Sequence, residues 1–161
     1  MRKTILIASA CIVAGAAIFF LSGLMIKKPP QAELKRVPDL VFYDHEGKEV
    51  LLVNTRGKPL IISSWASWCP RCYDGMPDFY KLREEFGGKL EIILVNRGED
   101  TKVASGTLEV LDPNDSFYKA IGGFSMPETI FVNKDGFIVV HKRGAMNFEE
   151  IKRRVEDVFG L

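Results

Sequence analysis

A five-residue stretch, Trp68-Cys69-Pro70-Arg71-Cys72, sits where an apolar run (Leu60, Ile61, Ile62, Trp65) gives way to a helical pattern. A strand that hands a cysteine to a helix N-terminus sets its sulfur against backbone N–H groups that lack an intrahelical partner. It also meets the positive end of the helix dipole, and both favour thiolate over thiol. That position belongs to Cys69. Two intervening residues bring Cys72 one turn along, near enough to close a small disulfide ring and shielded from solvent by that turn. The spacing predicts a redox-active dithiol, with Cys69 as nucleophile and Cys72 as resolving thiol.

Other uses of such a pair fit less well. A zinc site needs two more ligands. The third cysteine, Cys11, lies in an apolar N-terminal stretch, and the two histidines, His45 and His141, show no metal-ligand spacing. We expect no metal and no bound cofactor beyond the Cys69–Cys72 disulfide itself. A purely structural disulfide gains little from so short a loop and is often strained enough to be reducible.

With 161 residues, 47% hydrophobic content and a net charge of +1, the chain holds one ordinary domain and something more at its front. Residues 4–26 are nearly uncharged and mostly apolar, with Arg2 and Lys3 before them. As a helix they rise about 34 Å, enough to cross a bilayer's hydrocarbon core. Ala8-Ser9-Ala10 resembles a signal-peptide cleavage site, but cleavage there leaves an apolar region of about five residues where about seven to fifteen are needed. The same objection meets Cys11 as a lipidated N-terminus. We read a basic flank over 1–3, a transmembrane signal anchor over 4–26, a linker over 27–36 containing Pro29 and Pro30, and a folded domain over 37–161. Basic residues stand on both sides of the span, so charge does not orient it. A dithiol domain makes most sense outside the cytoplasm, where disulfides persist. The balanced charge gives no footprint for nucleic acid.

Along the domain, Leu40 to Tyr43 and Val50 to Val53 read as a hairpin around Asp44-His45-Glu46-Gly47-Lys48, with His45 solvated in the turn. Leu60 to Ser64 is a strand. Met76, Phe79, Leu82 and Phe86 recur at helical spacing up to Gly87-Gly88, with Pro77 inside the pattern where it should bend the axis. Leu90 to Val95 is a strand buried on both faces. Asp112-Pro113-Asn114-Asp115 opens a short helix bearing Phe117, Ala120 and Ile121. Thr129 to Val132 and Phe137 to Val140 flank the turn Asn133-Lys134-Asp135-Gly136. A last helix follows, with Asn147 as cap, Glu150 at the reciprocal position and an apolar stripe from Phe148 to Phe159. The order β, α, β, α, β, β, α implies an α/β domain whose mixed sheet carries helices on both faces.

Several of these segments together resemble the membrane-anchored, extracytoplasmic thioredoxin-like proteins of the TlpA, ResA and CcmG (DsbE) kind, over Val37 to Gly160. They are Val37-Pro38-Asp39-Leu40, Gly57-Lys58-Pro59, Trp65 to Cys72, Met76-Pro77, Val95-Asn96-Arg97-Gly98-Glu99, Gly123-Phe124-Ser125-Met126-Pro127-Glu128-Thr129 and the Asp135-Gly136 hairpin ending near Gly144. The resemblance implies a thioredoxin fold with an N-terminal β-hairpin extension. It implies a cis bond at Met126-Pro127, with Met126 offering backbone groups to an extended client segment beside the dithiol. Trp68, Pro70, Arg71, Met126 and Pro127 are then the client-binding residues. Two departures stand out. Cytosolic thioredoxin carries a buried aspartate where this chain has Ser63, whereas Glu99 matches the glutamate that ResA-like members place after the central strand. Glu99 becomes the candidate for managing the Cys72 proton, as a buried carboxyl with raised pKa; a solvated loop acid is the alternative. The second departure is length. Between Glu99 and Asp112 there is no room for a full crossover helix, and residues 101–106 supply one turn at most.

The implied chemistry is thiol-disulfide exchange on client proteins, with electrons arriving from a membrane thiol carrier. Arg71 favours the thiolate and pulls toward a disulfide-forming oxidase, while the resemblance pulls toward a reductase of clients such as apocytochrome c or respiratory-complex assembly factors. Trp65 is expected beneath the site and Trp68 over it. A copper metallochaperone and a tethered binding module remain as other classes; peroxidase chemistry lacks its sequence pattern.

Overall fold

The structure is a computed structural model that describes residues 34–99 and 107–161. The basic flank, the apolar stretch 4–26, most of the linker and the single turn anticipated over 101–106 lie outside the described residues. Among the described residues no helix is long and apolar enough to cross a membrane.

Among the described residues the strands and α-helices are β1 (Val41–Tyr43), β2 (Glu49–Leu51), β3 (Leu60–Trp65), α1 (Pro70–Phe86), β4 (Glu91–Arg97), β5 (Glu109–Asp112), α2 (Ser116–Ile121), β6 (Glu128–Val132), β7 (Ile138–Arg143) and α3 (Phe148–Phe159). The sheet runs β2-β1-β5-β4-β3-β6-β7. The pairs β3/β4 and β4/β5 are parallel, and every other pair is antiparallel. This is the expected thioredoxin-like α/β arrangement, with the hairpin β1-β2 added at one edge.

Both faces of the sheet are covered. On one side Ile61 and Trp65 of β3, Leu94 of β4 and Phe131 of β6 pack with Phe79 and Leu82 of α1 and Ile151 and Val155 of α3. On the other, Phe42, Ile62, Ile93, Val95 and Ile130 pack with Phe117 of α2. The period of two therefore continues through strands whose sequence reads as unbroken apolar runs. The helix α1 runs on through Pro77.

Turn chemistry fixes both hairpins. Asp44 Oδ1 accepts from the N–H groups of Glu46 and Lys48, each at 2.9 Å, and Gly47 takes φ 82°. Asn133 Oδ1 does the same for Asp135 and Phe137 at 3.1 and 2.9 Å, and Gly136 takes φ 86°. The domain also reaches further forward than residue 37. The Ile138 N–H donates to the Lys35 carbonyl at 2.9 Å, and Arg36 bridges Phe137.

Strand β5 is not among the strands read from the sequence. Glu109 and Asp112 occupy buried positions in it and break the apolar run that would have announced a strand. Asp112 closes β5 rather than opening a helix: its Oδ2 accepts from the Phe117 N–H at 2.7 Å, while Asp115, just before α2, stands at φ 55°. Asn147 caps α3 as expected, accepting from the Glu150 N–H at 2.9 Å. The Glu150 carboxylate turns to Arg154 at 3.0 Å. Asn147→Ala should cost about 1 kcal/mol, measured as a lower urea midpoint with unchanged slope, while Asn147→Asp should cost almost nothing.

Candidate active site

The parallel strands β3 and β4 end on the same side of the sheet, and β3 hands the chain directly to α1. Cys69 takes the N-cap position, with extended backbone angles (φ −105°, ψ 95°), and Pro70 follows at the first helical position. The Cys69 N–H donates to the Ala66 carbonyl at 3.0 Å, which tightens the turn out of the strand. Cys72 lies one turn along, and the two form a disulfide with Cα atoms 5.3 Å apart. Both residues are nearly buried, at 6% and 4% exposure. Place on the helix, not exposure, distinguishes the two: Cys69 stands at the positive end, and Cys72 inside the first turn.

Trp65 packs beneath the site as expected. It is buried, its Nε1–H donates to the Leu94 carbonyl at 3.3 Å, and the Tyr73 ring meets it edge-on at 5.7 Å. Trp68 stands 63% exposed in the turn directly before Cys69. Arg71 is exposed, and among the described residues no carboxylate pairs with it.

The bond Met126-Pro127 is cis, and Pro127 and Cys72 line one small cavity with Ser63 and Thr129. The Pro127 carbonyl accepts from the Gly144 N–H at 2.9 Å. Among the described residues nothing bonds to the Met126 N–H or carbonyl, which leaves both for an extended client strand.

Glu99 departs from expectation. It is half-exposed, not buried, and its partners are Ser67 and Asn96. The Ser67 N–H and the Asn96 Nδ2 donate to its Oε2 at 2.8 and 2.6 Å, and the Ser67 hydroxyl bonds its Oε1. Burial, the largest single influence, raises the carboxyl's pKa; the three hydrogen bonds together outweigh it and hold the group below its ordinary value. At neutral pH Glu99 is a carboxylate that ties down the turn before Cys69, and a raised-pKa acid beside Cys72 is not what these bonds build.

The sequence reading missed the residues that hold the proline loop. Glu128 directly follows Pro127 and is fully buried. Its Oε1 accepts from the N–H groups of Phe124 and Ser125, both at 2.8 Å, its Oε2 lies 2.6 Å from His141 Nε2, and Arg143 Nε stands 3.7 Å away. From below, the Tyr118 hydroxyl donates to the Ser125 carbonyl at 3.1 Å. The Arg97 guanidinium lies 3.5 Å from the Tyr118 ring centre and is forked onto Asp115. Phe124, 75% exposed, carries the Arg143 guanidinium 4.4 Å from its ring. A charge at an inward-facing strand position was the one available signal: Glu128 shares a face of β6 with Ile130 and Val132, which belong to the core.

Comparisons with known proteins agree with this geometry. The Redoxin family model matches residues 32–158, and the chain belongs to that family. The thiol-disulfide oxidoreductase ResA of Geobacillus thermodenitrificans is 28% identical, over 98% of this chain and 94% of the relative. Among solved structures, a thiol:disulfide interchange protein DsbE from Chlorobium tepidum superposes with TM-score 0.70 at 17% identity, covering 77% of this chain and 95% of its own. The exposed lipoprotein thioredoxin of Streptococcus pneumoniae superposes with TM-score 0.65 at 22% identity, covering 75% of this chain and all (100%) of its own. The chain is a thiol-disulfide oxidoreductase similar to ResA, on a thioredoxin-like fold.

Burial, again the largest influence, pushes the Glu128 carboxyl up, but the Phe124 and Ser125 N–H groups and His141 together hold it below its ordinary value. A depressed carboxylate contributes stability that is complete above the ordinary carboxylate range and lost as pH falls through the lowered folded-state value. Glu128→Gln should therefore melt below wild type at pH 7, by about 1–3 kcal/mol, with the gap narrowing below about pH 4 in a pH series of thermal melts.

Proposed function

We propose that the protein is a membrane-anchored reductase acting outside the cytoplasm on disulfides of client proteins. The placement of Cys69 at the helix N-cap, with Cys72 one turn behind it, is the observation that carries the reading. In the reduced protein the Cys69 thiolate attacks one sulfur of a client disulfide. The client S–S bond breaks, the other client sulfur leaves as a thiolate, and a mixed disulfide joins Cys69 to the attacked sulfur. Cys72 then loses its proton and attacks Cys69 Sγ; the second client thiolate departs and the Cys69–Cys72 disulfide is left behind. Two electrons pass to the client and are restored by a membrane thiol donor. Trp68, Pro70, Arg71 and Met126-Pro127 form the client surface, the Met126 N–H and carbonyl pairing with the client backbone. Apocytochrome c and assembly factors of respiratory complexes are the client class that the resemblance to ResA and CcmG proteins supports. The apolar stretch 4–26 supports the anchor, and the dithiol supports the extracytoplasmic side, where disulfides persist.

A disulfide-forming oxidase is the second reading, favoured by Arg71: an unpaired cation between the two cysteines stabilises the reduced, thiolate form and so raises the oxidising power. The reduction potential decides. A value well below about −200 mV, read from Trp fluorescence of the full-length chain in glutathione and dithiothreitol buffers, supports the reductase; one near about −120 mV supports the oxidase. In the same assay Cys69→Ser should abolish exchange, and Cys72→Ser should accumulate the mixed disulfide with client, seen as a slower band on a non-reducing gel.

A further inference from the structure

Beneath the first turn of α1 the core contains two hydroxyls where apolar side chains would pack. Ser63 and Thr129 face each other across the β3–β6 pairing, 3% and 1% exposed, with their oxygens 2.8 Å apart. Alternation turns both toward α1, since Ile61 and Trp65 of β3 and Phe131 of β6 belong to the core on that side. A hydroxyl has one donor hydrogen and two acceptor lone pairs. The bond between the two consumes one hydrogen, so the pair keeps an O–H and free lone pairs for a third partner. Both residues line a cavity with about 20 Å3 open to the centre of a water molecule, and Cys72 and Pro127 line it too. That is room for one water, which needs polar partners to stay. Around the cavity Cys72 is the group able to release a proton near neutral pH. Glu99 is engaged with Ser67 and Asn96.

We infer that the Ser63–Thr129 pair holds one water in this cavity, and that this water carries the Cys72 proton toward solvent and hydrogen-bonds the thiolate that resolves the mixed disulfide. The Cys72 S–H gives its proton to the water, which passes one on to bulk solvent. The freed lone pair forms the bond to Cys69 Sγ as the bond from Cys69 to the client sulfur breaks, and the departing client thiolate takes a proton from solvent. The two cysteines lose two electrons and the client gains them. Ser63 and Thr129 are positioning residues in this scheme, since they act through the water. The inference rests on the assignment of Cys72 as resolving thiol.

The test separates the two steps. The reduced full-length chain in mild detergent is mixed with a disulfide-linked model peptide, and the release of the first and second peptide thiols is followed over a pH series. Ser63→Ala and Thr129→Val should leave the first release unchanged. The second should slow about tenfold at neutral pH, its profile displaced about one pH unit toward alkali, as expected for loss of a hydrogen bond to a charged group. Thr129→Ser, which keeps the hydroxyl, should restore the wild-type profile. Wild-type second-step rates in both Ser63→Ala and Thr129→Val overturn the inference, and so does equal slowing of both steps, which marks a packing role. Failure of the parent assignment looks different: wild type itself then releases the first peptide thiol but not the second, and the inference falls with it.

Discussion

The antiparallel pairing of β3 with β6 is the constraint on which the site depends. It sets Ser63 opposite Thr129, so that the strand leading to Cys69 and the strand leaving Pro127 run side by side. Ser64 locks the crossing: its hydroxyl accepts from the Glu128 N–H at 2.9 Å and lies 3.2 Å from the Glu128 carbonyl. A side chain thereby takes hydrogen bonds that the last rung of the ladder would otherwise supply. Slipping this register by one residue would turn Ile61, Ser63 and Trp65 to the wrong face and carry the cysteines away from the proline loop.

Charge is distributed in the same spirit. Two buried or half-buried carboxylates, Glu99 and Glu128, each gather N–H donors from a loop bordering the dithiol, one from the turn before Cys69 and the other from the turn before Pro127. Neither is aimed at sulfur by the bonds that hold it. The two loops bordering the dithiol are thus fixed from behind by ionised acids, and the Ser63–Thr129 hydroxyl pair lies beneath the cysteines. Exposed Trp68 and Phe124 stand on the two loops so fixed. Clamped loops with exposed aromatic tips give a surface that binds without having to reorganise.

Features set by local chemistry could be read directly from the chain. The cysteine pair at a strand-to-helix junction, the Asn133 to Gly136 turn and the Asn147 cap each need only neighbouring residues, and all stand where expected. The cis bond at Met126-Pro127 was legible through resemblance, since an X-Pro bond is trans by default. What stayed hidden depends on partners distant in sequence. Strand β5 is interrupted by acids whose burial only the tertiary structure justifies. The Glu128–His141 contact joins neighbouring strands diagonally, because Ile130 is the residue set opposite His141. The environment of Glu99 turned on Ser67 and Asn96, and a match of position alone could not tell a proton carrier from a loop clamp.

The central claim is that position at the head of α1 makes Cys69 the attacking thiolate and Cys72 its protected partner. Alkylation of the reduced full-length chain by iodoacetamide over a pH series, with each cysteine quantified by mass spectrometry, tests it most directly. The account predicts modification at Cys69 with a midpoint well below the ordinary thiol value of about 8.5, and Cys72 left unmodified over the same interval. Equal rates at the two cysteines with a midpoint near about 8.5 would contradict it.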